Sequence, residues 1–215
     1  MWHGPLGPSA RRKAGLTAFL QALPPQHVVG LFTIGGQVRR LEDFTTDRAR
    51  LLGRVNNVFP DRGNTRVLDG VRETWDRYYE GDEAWPVFVM VLTDGTEHSA
   101  FMSEDRYGRW MNGVRQAGVM IHAIQVTTRR GSPITHFALN LAGSTGGRYR
   151  SVATATALTG ELTTLATDMG TLHDQVSNAY RILFERADPS GDSISLSVAR
   201  PGVDLRLFGE RRLDP

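Results

Sequence analysis

Three short runs of apolar, largely β-branched residues set the terms for this chain: HVVGLFTI at 27–34, PVFVMVLT at 86–93 and VMIHAIQV at 119–126. None alternates regularly with polar residues, so each is expected to be a strand covered on both faces, as in a parallel sheet. The stretches between them carry a helical period instead. ARRKAGLTAFLQAL (10–23) places Leu16, Phe19, Leu20 and Leu23 on one face, with Ser9 able to cap it and Pro24-Pro25 ending it. Thr46 is placed to cap a second helix running to Val58, with Leu51, Leu52 and Val55 inward. A third helix from Thr65 carries Val67, Leu68, Val71, Trp75 and Tyr78. A fourth over 103–117 is capped by Ser103, stops near Gly118 and turns Tyr107, Trp110, Met111 and Val114 inward. THFALNLAGSTGG reads as a short helix ending in glycines, followed by the strand RYRSV. Between the first strand and the second helix, Gly35-Gly36 turns the chain into QVRRLEDF, which alternates like an exposed edge strand. Apolar strands alternating with amphipathic helices predict a doubly wound, Rossmann-like α/β fold with a mostly parallel sheet and flanking helices.

The pattern changes after residue 158. Leu162, Leu165, Met169, Leu172 and Val176 form the stripe of a helix over 159–178. YRILFERAD, SISLSVAR and VDLRLFG then alternate with period two, separated by Pro189-Ser190-Gly191-Asp192 and Pro201-Gly202. The expected organisation is an α/β domain over 1–158, with a helix and small antiparallel sheet over 159–215 packed beside it.

Composition removes several classes of function. The 25 basic and 23 acidic residues nearly cancel, and no Lys/Arg run forms a stripe, so nucleic acid is not implied. With no cysteine, disulfides, cysteine zinc sites and thiol catalysis are excluded. No apolar stretch approaches the ~18 residues that a membrane span needs. The N-terminal MWHGPLGPSARRK has no apolar core of a secretion signal.

In an open α/β sheet, ligands bind beyond the carboxyl ends of the strands. Two oxygen donors fall there: Asp94, in VFVMVLTDGTE, and Thr65, in GNTRVLDG at a loop-to-helix junction. A hydroxyl and a carboxylate with waters suit a hard cation such as Mg2+. From spacing alone, Thr65 after Asn64 reads first as a helix N-cap, and Asp94-Gly95 reads equally well as a turn pair. Glu97 and His98 follow on the same rim, with solvated loop residues as their plainer reading. His122 interrupts an apolar strand and is expected to be a core histidine with its hydrogen bonds satisfied. Gly143, Gly146 and Gly147 match no phosphate loop and sit at a helix end, so helix termination accounts for them. There is no H-E-x-x-H and no G-x-S-x-G. Trp75, Tyr78, Tyr107 and Trp110 lie on core stripes and read as packing.

Taken in order, VVGLFTIGG, GNTRVLDGV, VFVMVLTDGTE, MIHAIQV and LAGSTGGRYRSV resemble a von Willebrand factor A (VWFA) domain, in particular a bacterial VWFA-related family. Members of that family also end in a helix followed by a segment like YRILFE…SISLSVARPGVDLRLF, so the resemblance spans nearly the whole chain. It implies a metal-ion-dependent adhesion site holding Mg2+ or another divalent cation. Three loops build such a site: Asp-x-Ser-x-Ser after the first strand, a Thr matching Thr65, and an Asp matching Asp94. The open coordination position usually takes an acidic side chain of a protein partner, so the implied role is binding without catalysis. The expected partner face is Asn64, Thr65, Asp94, Thr96 and Glu97.

The Asp-x-Ser-x-Ser motif is absent, and Met1 occupies the place of a Met that commonly follows it. The expectation is therefore a domain lacking its first strand, cut inside the motif. By resemblance that strand would lie between HVVGLFTI and the strand ending at Asp94. Neighbouring strands sit ~4.8 Å apart, so removing one either draws the flanking strands together or strips their inner edges of partners. Metal binding by this chain is expected to be weak or absent. An extracytoplasmic location, common in the related family, would require an export signal upstream of Met1. Two other readings stand beside this one. One is a metal-independent interaction module in which Thr65 and Asp94 are only a cap and a turn. The other, an α/β hydrolase or nucleotide enzyme, lacks a nucleophile and a phosphate loop.

Overall fold

The computed structural model of the chain describes residues 8–58, 65–79, 85–127, 132–177, 197 and 199–202. Its elements follow in the order α1 (Pro8–Ala22), β1 (Val29–Ile34), β2 (Val38–Thr45), α2 (Arg48–Val55), α3 (Val67–Tyr78), β3 (Val87–Thr93), α4 (Glu104–Gln116), β4 (Met120–Val126), α5 (Pro133–Ser144), β5 (Tyr149–Val152) and α6 (Ala155–Val176).

Three strands form the expected parallel sheet in the order β3-β4-β5. Val87 stands opposite Met120 and Thr93 opposite Val126, while Ala123 stands opposite Tyr149. Strand periodicity then divides the side chains between two cores. On one face Met90, Leu92, Ile121 and Ala123 pack with α3 (Val67, Leu68, Val71), α4 (Met111, Val114) and α5 (Ile134, Ala138, Leu141). On the other, Ile124 and Val152 pack with α1 (Phe19, Leu20, Leu23), α2 (Leu51, Val55) and α6 (Leu158, Leu162, Leu165). Helices thus cover both faces, which is the doubly wound arrangement. Central β4 is buried along six of its seven residues, as its largely apolar run requires. Burying one such Leu or Ile side chain contributes roughly 1.5–3 kcal/mol. Gly15 lets α1 approach α6: a Cβ there would lie 3.0 Å from Leu162 Cδ1.

The first apolar run behaves differently from expectation. β1 does not enter the parallel sheet; it pairs antiparallel with β2 in a separate two-stranded sheet, with Ile34 opposite Val38. All six of its residues are half-buried. The apolar run specified burial on two faces, and the structure supplies it incompletely, because no strand among the described residues pairs with the other edge of β1. Nor does one pair with the free edge of β3, so the two strands have not closed into one ladder. Side chains bridge them instead. Phe32 meets Tyr78 with ring centroids 5.1 Å apart, Phe44 meets Tyr79 at 5.5 Å, and Tyr79 meets Phe88 at 5.8 Å. On the opposite face, Val29 and Leu31 of β1 and Val89 and Val91 of β3 pack on the same α1–α2–α6 core.

Several helix boundaries also move. α1 begins at Pro8, ahead of Ser9. The cap of α2 is Asp47 rather than Thr46: its carboxylate accepts the Arg50 amide at 3.0 Å, and the helix stops at Val55. Ser103 stands at the N-cap of α4 without a capping side-chain bond. The glycines after α5 do terminate it, since Gly146 adopts φ +72° and the Gly147 amide donates to the Ala142 carbonyl at 2.9 Å. The last helix starts at Ala155, with the Thr154 hydroxyl accepting the Ala157 amide. The antiparallel strands expected over 180–209 fall almost entirely outside the described residues.

Candidate functional site

The carboxyl ends of β3 and β4 gather several bonded polar groups. Asp94 leaves β3 half-buried, and its Oδ1 accepts a hydrogen bond from Gln125 Nε2 at 3.1 Å. Gln125 sits on β4 with no solvent exposure. Its own Oε1 accepts from Thr135 Oγ1 at 3.0 Å and from the Tyr149 hydroxyl at 2.9 Å. An amide in the core must find partners for both ends, and here it does so by bracing Asp94 against α5 and β5. The next residue is held as firmly: the Gly95 amide donates to Ser132 Oγ at 3.2 Å, and Ser132 Oγ lies 3.1 Å from the Gly95 carbonyl.

Thr65 arrives from the other side. It is not the cap of α3, because the N-cap position falls on Arg66 and no side-chain capping bond forms there. The Thr65 carbonyl accepts the His98 amide at 2.9 Å. Its hydroxyl points at the turn after β3, for a Cβ on Gly95 would stand 4.0 Å from Thr65 Oγ1. Thr65 and Asp94-Gly95, separated by a helix and a strand in sequence, are therefore neighbours at the end of the sheet.

The loop that follows is tied to α3 by two carboxylates. Glu97 Oε2 accepts the Val67 amide and Oε1 accepts the Ser99 amide, each at 2.9 Å, with the Ser99 hydroxyl also bonded to Oε1. Asp69 takes Ala100 N at 2.9 Å, Arg66 Nη2 at 2.6 Å and Arg72 Nη2 at 3.3 Å, while its own amide donates to Ser99 Oγ at 3.0 Å. Both carboxylates meet the first turn of α3, where free amides and the helix dipole favour negative charge. Glu97 is thus turned toward the helix as a clamp, whereas Thr96 faces solvent. Asn64 lies outside the described residues. Phe101, at the end of the clamped loop, is 94% exposed.

Asp69, Gln125 and Ser132 were not singled out from the sequence. Gln125 had a signal, a lone amide in the run MIHAIQV; Asp69 had none, since an acid in the first turn of a helix is ordinary. His122, expected to be satisfied, is only half so. Its Nδ1 accepts the Arg148 amide at 3.1 Å, but Nε2 is buried without a partner among the described residues. Burial first, then the Arg148 charge, lowers its pKa to about 4. Trp75, Tyr107 and Trp110 pack against the first core as expected.

For a divalent cation the described residues offer the Thr65 hydroxyl and the Asp94 carboxylate. No group of three or more His, Asp or Glu among the described residues could hold a metal ion. Of the six oxygens that Mg2+ takes, these two would supply part, and the Asp94 carboxylate already accepts from Gln125.

No known family profile matches the sequence, and no curated protein matches it. Solved structures do match. A von Willebrand factor type A protein from Catenulispora acidiphila superposes with a TM-score of 0.57 at 10% identity, covering 74% of this chain and 37% of that one. An aerotolerance-related membrane protein from Bacteroides fragilis gives 0.58 at 12% identity, covering 76% and 91%. The conserved hypothetical protein BatB from Bacteroides thetaiotaomicron gives 0.59 at 13%, covering 76% and 88%. This chain therefore has a VWFA-like fold, and it spans about a third of the length of the Catenulispora protein.

Proposed function

We propose that the chain is a protein-interaction module whose docking face is the rim around Thr65, Asp94 and Thr96. The convergence of Thr65 with Asp94-Gly95 beyond β3, braced from below by buried Gln125, carries this reading. Ligands of open α/β sheets bind in that place. A face whose backbone is fixed before contact loses less entropy on docking. In its complete form the VWFA-type face would add a divalent cation that receives an acidic side chain of the partner. With two donors here, this chain is expected to hold such a cation weakly or not at all. Among the described residues no hydroxyl at the rim is hydrogen-bonded to a histidine, and the Ser99–Glu97 pair is taken up in the clamp on α3, so a hydrolase or nucleotide enzyme is the weaker reading.

The test is affinity capture from the source cells with the unaltered chain, Asp94→Ala and Thr96→Arg, each with 5 mM Mg2+ or 5 mM EDTA. Loss of a specific protein with both variants supports the face, and indifference to EDTA supports the metal-independent form. Capture unaffected by either variant would move the interface elsewhere.

A further inference from the structure

Apart from the rim residues, four elements meet at one carbonyl. The oxygen of Pro24, just past α1, is approached by the His27 amide at 3.2 Å, by His27 Nδ1 at 3.3 Å and by Arg48 Nη2 at 2.8 Å. Arg48 is the first residue of α2, and its Nη2 also donates to the His27 carbonyl at 3.0 Å. Its Nε and Nη1 are buried with no hydrogen-bond partner among the described residues, and burial lowers its pKa. The last turns of α6 close over this junction. A Cβ on Gly170 would lie 2.8 Å from Pro24 Cγ, and one turn on, the His173 ring stands 4.7 Å from that of His27. Gly170 and His173 are three apart and so share a helix face.

We propose that His27, His173 and Arg48 form an acid-opened latch that fastens the C-terminal end of α6 to the α1–β1 turn at neutral pH. Arg48 already places one cation at the Pro24 carbonyl, with its Nε and Nη1 unpartnered among the described residues. A proton on His27 adds a second cation at that carbonyl, facing His173. The groups acting on His27 are His173 and Asp174 from α6, Arg48 from α2 and the Pro24 carbonyl. Burial first, then His173, hold the imidazole below its ordinary value; Arg48 acts the same way, against the opposing pull of the Pro24 carbonyl and Asp174. A histidine with a lowered pKa in the closed state takes up a proton on opening. The contact is therefore fully present above pH 6.5 and weakens as pH falls below it. What opens is the end of α6, from which residues 178–215 continue.

The chain has no cysteine, so spin labels can be placed at will. Gln26→Cys and Gln175→Cys, both at exposed positions flanking the junction, would carry the pair. Double electron–electron resonance on the full chain should give a narrow distance distribution at pH 7.5 and a longer, broader one at pH 5.0. His27→Gln in the same background should keep the narrow distribution at both values. An unchanged distribution at pH 5.0, or equal broadening in His27→Gln, overturns the latch. Should His27→Gln fail to fold, proton NMR titration of the unaltered protein serves instead. A His27 midpoint below 6.5 that coincides with the loss of His27–His173 ring contacts supports the proposal, and titration with those contacts intact refutes it.

Discussion

His122 gives the sharpest quantitative expectation. It lies within β4, 5% exposed, with Nδ1 bonded to the Arg148 amide and Nε2 facing no partner among the described residues. Its ordinary value of 6.5 falls to about 4, through burial and the neighbouring Arg148, with Asp168 opposing. The folded state thus refuses a proton that the unfolded chain accepts between those two values. Stability from this residue is complete above pH 6.5, declines as pH falls to about 4 and changes no further below that. The slope is about 1.4 kcal/mol per pH unit and the whole loss about 3 kcal/mol. Urea unfolding between pH 7.5 and 4, for the unaltered chain and for His122→Gln, isolates the effect, because the carboxylates titrate in both. The amide of Gln can still accept from the Arg148 backbone. The two stability curves should converge by about 3 kcal/mol between pH 6.5 and 4. Parallel curves, or an NMR titration of His122 near 6.5, would refute the argument.

Gly147→Ala should be among the most damaging single changes, because the added Cβ would sit 1.9 Å from the Ile121 carbonyl oxygen. Backbone cannot yield as a side chain does, so a loss of about 3 kcal/mol or more is expected in thermal or urea unfolding. Asp69→Ala leaves Arg66, Arg72 and the Ala100 amide without their acceptor; since both arginines reach solvent, the expected cost is about 2 kcal/mol. It should also speed amide exchange of Ala100 while leaving β4 protected. Addition of 10 mM Mg2+ should raise unfolding stability by less than about 1 kcal/mol, the linkage expected of a site no tighter than several millimolar. A larger shift would mean that donors beyond Thr65 and Asp94 complete the shell.

The helices that cover the sheet were legible because their faces follow the 3.6-residue period: Met111 and Val114 of α4, and Leu51 and Val55 of α2, are buried where the pattern placed them. β4 was legible for the same kind of reason, since a short, largely apolar run without alternation fits a strand covered on both sides. β1 shows the limit of that reasoning. VVGLFTI carries the same signal as MIHAIQV, yet pairing is decided by which strands lie alongside, and that information is not local. At the site, Thr65 and Asp94 could be placed by topology, whereas the Asp69–Ser99 and Gln125–Thr135–Tyr149 connections join residues 10 to 30 apart. Such contacts leave no periodic trace. Glu97 was expected on an open rim; its inward turn follows from the unpaired amides of α3, which a linear reading does not aim at any particular side chain.

The division of the sheet has a thermodynamic consequence. β1 and β2 share no backbone hydrogen bond with β3, β4 or β5 among the described residues; they are held to them by Phe32, Phe44 and Ile34 lying on α3 and its end, and by Val29 and Leu31 on the α1–α2–α6 core. A two-stranded hairpin is marginal by itself, so this one persists only while those aromatic and aliphatic contacts do. It should open as a separate cooperative unit, at lower free energy than global unfolding. Native-state exchange would then show the amides of β1 and β2 released together, ahead of β4, and the molecule would melt from one side inward.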